Sequence, residues 1–251
     1  MMLTTLATRR GALGLLTLSA LLGPLSAQAA TVQFSGYTWE VRQGGGGPGP
    51  NNWDARNVWV DANGALHLRV QQRDGQWTSA EVTMTQPQRL GFGTYQWQIE
   101  GRPDLMNRNL VLGLFNYTTP DIGPDATNEI DIEFARWGND AWPNGNWTIY
   151  PAVVGPKPLS TSFEILLQNQ STHRFTWSSD SVRYAALNGL RNVGDNTGLI
   201  KKKTFAPANA HKRIPQNAIP VHMNLWLFKG QAPSDGQPVE VVIRSFKFVP
   251  Q

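Results

Sequence analysis

Three carboxylates stand at alternate positions in Asn128-Glu129-Ile130-Asp131-Ile132-Glu133-Phe134. In an extended chain successive side chains point to opposite faces, so Glu129, Asp131 and Glu133 share one face and Ile130, Ile132 and Phe134 the other. A row of like charges on a rigid strand is destabilising; it persists where a ligand, a metal or a shared proton offsets the repulsion. Paired carboxyls do acid–base and nucleophilic work at glycosidic bonds. Asp131, between the glutamates, repels added negative charge and keeps one Glu protonated while the other stays ionised. Residues four apart in a strand have Cα atoms roughly 13 Å apart. The two glutamates must therefore lean together on a curved strand to reach the about 5–5.5 Å of a retaining pair. Trp137, Trp142, Trp147 and Tyr150 follow closely, and flat apolar rings beside acids suit a polysaccharide, whose sugar faces stack on them. The plain alternative is an ordinary amphipathic strand with a solvated polar face.

Such a row has to be held by a sheet, and the rest of the chain supplies one. Period-two alternation and turn residues predict strands over 56–60, 66–71, 79–85, 93–100, 110–117, 130–134, 148–154, 172–177, 182–187, 221–226 and 239–249. Strands this numerous at short spacing predict an all-β sandwich or barrel. Three polar or glycine-rich insertions, 44–52, 120–128 and 140–146, interrupt the pattern, and long irregular loops in a compact domain are commonly functional. A helical turn is expected at 208–212. There is no internal repeat and no interdomain linker.

Glu-Ile-Asp-Ile-Glu-Phe resembles the catalytic strand of glycoside hydrolase family 16, in particular its licheninase-like β-glucanases. Further segments are similar to that family: Asn57-Val58 with Gly64-Ala65-Leu66-His67-Leu68, Ser79-Ala80-Glu81, Gly91-Phe92-Gly93-Thr94-Tyr95, His173-Arg174-Phe175-Thr176-Trp177, and Met223-Asn224-Leu225-Trp226. The resemblance implies a jelly-roll β-sandwich of two curved antiparallel sheets, concanavalin A-like, that hydrolyses a β-linked polysaccharide or oligosaccharide with retention. On this sequence it implies Glu129 as nucleophile, Asp131 as supporting carboxylate and Glu133 as general acid/base. It also implies Glu81, Asn224 and Trp226 in the sugar-binding cleft, with Tyr150 opposite the nucleophile and Trp137 beside it. No cofactor is required; a structural Ca2+ away from the catalytic strand is compatible. The chain departs from the pattern where Thr127-Asn128 replaces a Trp-Asp pair, and where Val82-Thr83 follows Glu81 without the usual Arg. A carbohydrate-binding module would keep the sandwich and aromatics but has little need of three acids on one face, and a transglycosylase would use the same acids.

Composition excludes other chemistries. There is no Cys among 251 residues, which removes disulfide scaffolds, thiolate catalysis and cysteine–zinc sites. His67, His173, His211 and His222 are scattered without zinc-ligand spacing, and each reads as structural or exposed. Gly44-Gly45-Gly46-Gly47 lacks the Gly-Lys-Ser/Thr ending of a phosphate loop and reads as a mobile loop at the cleft rim; Lys201-Lys202-Lys203 reads as solvated surface.

At the N-terminus, Arg9 and Arg10, an apolar stretch from Leu13 to Leu25 and Ala27-Gln28-Ala29 form the three parts of an export signal, with a twin-arginine route open. The expected organisation is a signal over 1–29 and a single catalytic domain over 30–251, secreted or periplasmic and monomeric. The first 29 residues carry two arginines and no acid, leaving 20 basic against 18 acidic residues, too even a balance to imply nucleic acid. No later stretch is long and apolar enough for membrane insertion. N-terminal sequencing of the exported protein should return Ala30 first; Met1 retained on a cytosolic protein would overturn the assignment.

Overall fold

The computed structural model describes residues 29–251 together with Met1; of the export segment expected over 1–29, residues 2–28 lie outside the described residues. One antiparallel sheet of eight strands runs, in spatial order, β1 (Thr31–Phe34), β2 (Tyr37–Val41), β8 (Ala80–Met84), β17 (Val221–Leu227), β10 (Leu110–Asn116), β11 (Glu129–Ala135), β12 (Gly145–Tyr150) and β13 (Leu159–Phe163). The second runs β16 (Leu199–Phe205), β15 (Val182–Asn188), β14 (Gln170–Trp177), β9 (Gly93–Glu100), β18 (Val239–Pro250), β6 (Leu66–Arg73) and β5 (Val58–Val60), with β7 (Gln76–Thr78) paired to β6 outside this path. A hairpin of β3 (Gly44–Gly46) and β4 (Asn51–Trp53) stands apart. A single α-helix, α1 (Ala210–Arg213), occurs among the described residues, overlapping the expected turn. The architecture is the expected two-sheet jelly-roll sandwich.

The core is what the alternation demands. Ile130, Ile132 and Phe134 of β11, Leu110, Leu112 and Leu114 of β10, and Met223 and Leu225 of β17 point inward from the first sheet. Tyr95, Trp97 and Ile99 of β9, Phe175 and Trp177 of β14, and Ile243 and Phe246 of β18 meet them from the second. The sheets are also tied behind the acid row. Tyr184 of β15 stacks on Trp147 of β12 at 5.0 Å, and its hydroxyl donates to the Thr148 carbonyl at 2.9 Å. With no disulfide available, this interdigitated aromatic layer carries the stability of the fold.

Several elements differ from expectation. The strand expected at 148–154 is β12, which begins three residues earlier and ends at Tyr150. It therefore takes in part of the insertion expected at 140–146, because Gly145 and Asn146 pair with Phe134 and Glu133. Trp147, grouped by sequence with the cleft aromatics, alternates to the core side and is buried. Residues 55–57 form a 3-10 turn ahead of β5 rather than strand. The expected irregular segment at 44–52 contains the β3–β4 hairpin, and the Lys201–Lys203 run sits within edge strand β16. Gly145 is required by contact: a Cβ there would lie 2.5 Å from the Phe163 ring, which packs on Trp147 at 4.3 Å. Gly145→Ala should destabilise the protein by about 1–3 kcal/mol through overpacking, read as a lower Tm in a thermal melt; an unchanged Tm would refute that packing.

Candidate active site

β11 lies inside the first sheet, hydrogen-bonded to β10 on one side and β12 on the other. Its apolar residues fix the register, so Glu129, Asp131 and Glu133 all emerge on the outer face. That face is recessed: Asp131 is only 4% exposed and Glu81, Asn146, Thr148 and Asn224 are buried too, while Glu129 and Glu133 on either side of Asp131 stay partly exposed. Two rows cross the strands. One passes from Glu81 of β8 through Asn224, Gly113, Glu133 and Asn146 to Ser162 of β13. The next passes from Thr83 through His222, Phe115, Asp131 and Thr148 to Ser160. Tyr150 of β12 pairs in register with Glu129 of β11.

Burial dominates the electrostatics of the acids. It pushes Glu129 up to about 8; the hydrogen bond with Asp131 pulls the other way, and the Glu133 charge adds to the rise. Burial alone pushes Glu133 up to about 7. Asp131 is held well above the carboxylate range by burial and then by the glutamates on either side. Burial and mutual repulsion therefore leave the three with fewer than three charges at neutral pH. A carboxyl that donates a proton beside a carboxylate that attacks or accepts one is within the reach of this row. Tyr117, whose hydroxyl donates to Asp125, closes the Glu129 end.

The floor beside the acids is a second polar network. Arg42, just past β2, donates to both oxygens of Glu81 at 3.2 and 3.1 Å, and Asn224 Nδ2 donates to Glu81 Oε2 at 3.1 Å. The Glu81 carboxyl is held below its ordinary range; burial opposes this, and the neighbouring His222, Arg42 and Asn224 outweigh it. Glu81 is thus an ionised acceptor, unlike the acids of β11. Its guanidinium partner comes from the far side of β8 rather than from the residues that follow it. Asn224 lies flat because residue 113 is glycine: a Cβ there would sit 2.5 Å from Asn224 Oδ1. That oxygen is buried with no donor. His222, read from sequence as structural or exposed, shares the outer face, with Nδ1 2.9 Å from Thr83 Oγ1 and its ring stacked on Phe115 at 5.1 Å. Arg42, Gly113, Phe115 and His222 are site residues that sequence reasoning missed; for His222 the signal was its two-residue spacing from Asn224.

The aromatic residues divide. Trp226 is on the acid face but 8% exposed, packed with Trp53, Val111 and Ala135. Trp137 and Phe228 lie over that cluster and remain partly open. Trp142 is 52% exposed, in a turn where Arg136 donates to its carbonyl. Among the described residues no group of three or more His, Cys, Asp or Glu is arranged to hold a metal ion.

No protein-family model and no curated protein matches the sequence. Solved structures do. A prokaryotic β-1,3-1,4-glucanase (lichenase) derived from a mouse hindgut metagenome superposes with a TM-score of 0.60 at 19% identity, covering 85% of this chain and 93% of that one. A Bacteroides ovatus mixed linkage glucan GH16 protein, in complex with a G4G4G3G product, gives 0.63 at 16% identity, covering 84% and 94%. An immunostimulatory antigen and pseudo β-1,3-glucanase of Mycobacterium tuberculosis gives 0.63 at 18% identity, covering 85% and 91%. The fold of this chain is therefore the one these glycoside hydrolase family 16 structures share.

Proposed function

We propose that the protein is a retaining endo-β-glycosidase acting on a β-glucan or a related β-linked polysaccharide. The observation that carries this is the acid row: three carboxyls at alternate positions on one recessed face of an internal strand, with a second carboxylate, Glu81, on the same floor. The shared fold with family 16 glucanases supports it.

In the first step the Glu129 carboxylate attacks the anomeric carbon, the bond to the leaving oxygen breaks, and Glu133 gives its proton to that oxygen. The glycosyl unit is then an ester of Glu129. In the second step Glu133, now ionised, takes a proton from water; the water oxygen attacks the anomeric carbon and Glu129 leaves, so the β configuration is kept. Asp131, between the two glutamates, keeps the pair in opposite protonation states. Glu81 and Asn224 shape the polar floor that meets sugar hydroxyls; Tyr150, Trp137 and Trp226 complete the cleft. The expected N-terminal export signal supports a secreted or periplasmic enzyme, where polysaccharide is met, acting as a monomer. A carbohydrate-binding role without turnover is the competing reading, favoured by the likeness to a pseudo β-1,3-glucanase.

Glu129→Ala should be folded, nearly inactive, and rescued on an α-fluoride donor, which already has the configuration of the missing ester. Glu133→Ala should lose about 100- to 10,000-fold on poor leaving groups while keeping the first step on good ones. Proton NMR of the first product from a soluble β-glycan should give the β anomer; an α product would end the Glu129 assignment. No turnover across β-glucans, agars and xyloglucan would favour the binding-only reading.

The raised carboxyls also set a pH dependence of stability. Between the ordinary glutamate value of 4.5 and about 7–8 the folded state holds protons that the unfolded chain has lost. Stability from these groups is thus full below about 4.5 and falls as pH rises through 7–8. Buried His173, held down to about 3 by burial, works in the opposite sense but is common to wild type and variant. Relative to Glu129→Gln/Glu133→Gln, the wild-type Tm should therefore fall between pH 5 and pH 8 (about the window just given); parallel curves would show that these carboxyls are not desolvated.

A further inference from the structure

We infer that Asn128 is a positioning residue: its buried amide latches the start of β11 to the segment after β12 and so aims the Glu129 carboxyl. This deepens the reading of the protein as a retaining glycosidase and rests on it. The three acids are not held equally. Asp131 has ladder partners on both sides, Phe115 of β10 and Thr148 of β12, and Glu133 has Gly113 and Asn146. Glu129 is the first residue of β11 and pairs with Tyr150 alone, because the β10 ladder begins at Ile130. A strand end paired on one side frays unless something beyond it holds it.

Asn128 supplies that hold. Its backbone N–H donates to the Pro151 carbonyl at 2.9 Å, just past the last β12 pair. Its Nδ2 donates to the Ala152 carbonyl at 3.2 Å and to Thr127 Oγ1 at 3.1 Å. Both anchors are themselves tied. The Ala152 N–H donates to the Lys212 carbonyl of α1 at 3.1 Å, and Thr127 Oγ1 donates to the Pro124 carbonyl at 2.6 Å. The backbone at 128 is left-handed, with φ 53°, as is that of Ala126 at 62°, so the chain kinks just before the nucleophile. Asparagine enters this region more readily than most side chains, and glycine more readily still. Glycine would serve the kink; what asparagine adds is the amide. Asn128 is 2% exposed. At Gly123 a Cβ would lie 2.9 Å from Asn128 Nδ2 and 2.7 Å from Thr127 Oγ1, so the preceding loop is shaped around this pair. The latch thus sits at the end of the acid strand that the sheet clamps least, beside the carboxyl that must form a covalent bond.

The test compares wild type with Asn128→Gly, which keeps the left-handed turn and removes the amide. The substrates are a soluble β-glycan and an aryl β-glycoside whose leaving group needs no proton. On both, kcat should fall about 100-fold, the loss that misplacing a reacting group by about 1 Å brings. A second arm adds Asn128→Gly to Glu129→Ala and follows the α-fluoride reaction, which has no nucleophile left to aim; its rate should be unchanged. A residue that merely supported the fold would slow both reactions alike. Asn128→Asp, which keeps the shape and the left-handed backbone without the donor, should match Asn128→Gly and stands in for it if that variant does not fold. Unchanged kcat in a folded variant, an equal loss in the Glu129→Ala background, or failure of both variants to fold would overturn the inference alone. Absence of turnover by the wild-type protein on every β-glycan tried would overturn it together with the proposed function.

Discussion

The arrangement turns on the electrostatic cost of holding Glu129, Asp131 and Glu133 together on one recessed face of a strand, with Asp131 buried between two partly exposed glutamates. The strand cannot relax that cost by slipping, because a one-residue shift would put Ile130, Ile132 and Phe134 outside and the acids into the apolar core. Ladders on both sides hold the register, and the Trp147–Tyr184 stack holds the neighbouring strand from behind. The remaining release is protonation. A core built to fix register thus becomes a device for setting protonation states, and the chemistry follows from packing.

The other polar half of the floor solves the opposite problem. Glu81 is buried on the same floor as the acid row, yet it stays ionised because Arg42, His222 and Asn224 surround it. Arg42 also stacks over Trp53 at 4.4 Å, so the guanidinium links the acceptor side of the floor to the aromatic end. Two carboxylate environments therefore lie along one row of the same sheet, one short of positive charge and one supplied with it. The strand order makes this possible: β8 and β11 are separated by β17 and β10, and Gly113 lets Asn224 lie in the gap without a clash.

Where side-chain alternation was strong, sequence placed the elements well. β9 and β11 read almost to the residue, since each carries three large apolar side chains on one face. β16 did not, because an edge strand exposed on both faces has no alternation to read; its lysines are the kind of residue that blunts an open edge. β12 was displaced because Asn144-Gly145-Asn146 looks like a turn, while the glycine is there for the Phe163 ring. In the site, the acid row was legible from spacing alone. Arg42 was not, since its partner Glu81 is 39 residues away and only the β2–β8 pairing brings them together. Trp147 and Tyr150 show the limit of composition: both are aromatic and near the acids, but an odd offset sends them to opposite faces.

β18 comes last among the strands in chain order yet lies between β9 and β6, inside the second sheet. Until residues 239–250 emerge, β9 and β6 each present an unpaired apolar edge, and the layer that backs the acid strand is incomplete. A nascent chain therefore cannot finish this sandwich from the N-terminus onward, and the long-range pairing makes folding a late, collective event. A chain cut short before residue 239 would leave β9 and β6 with open apolar edges, which are templates for pairing between molecules.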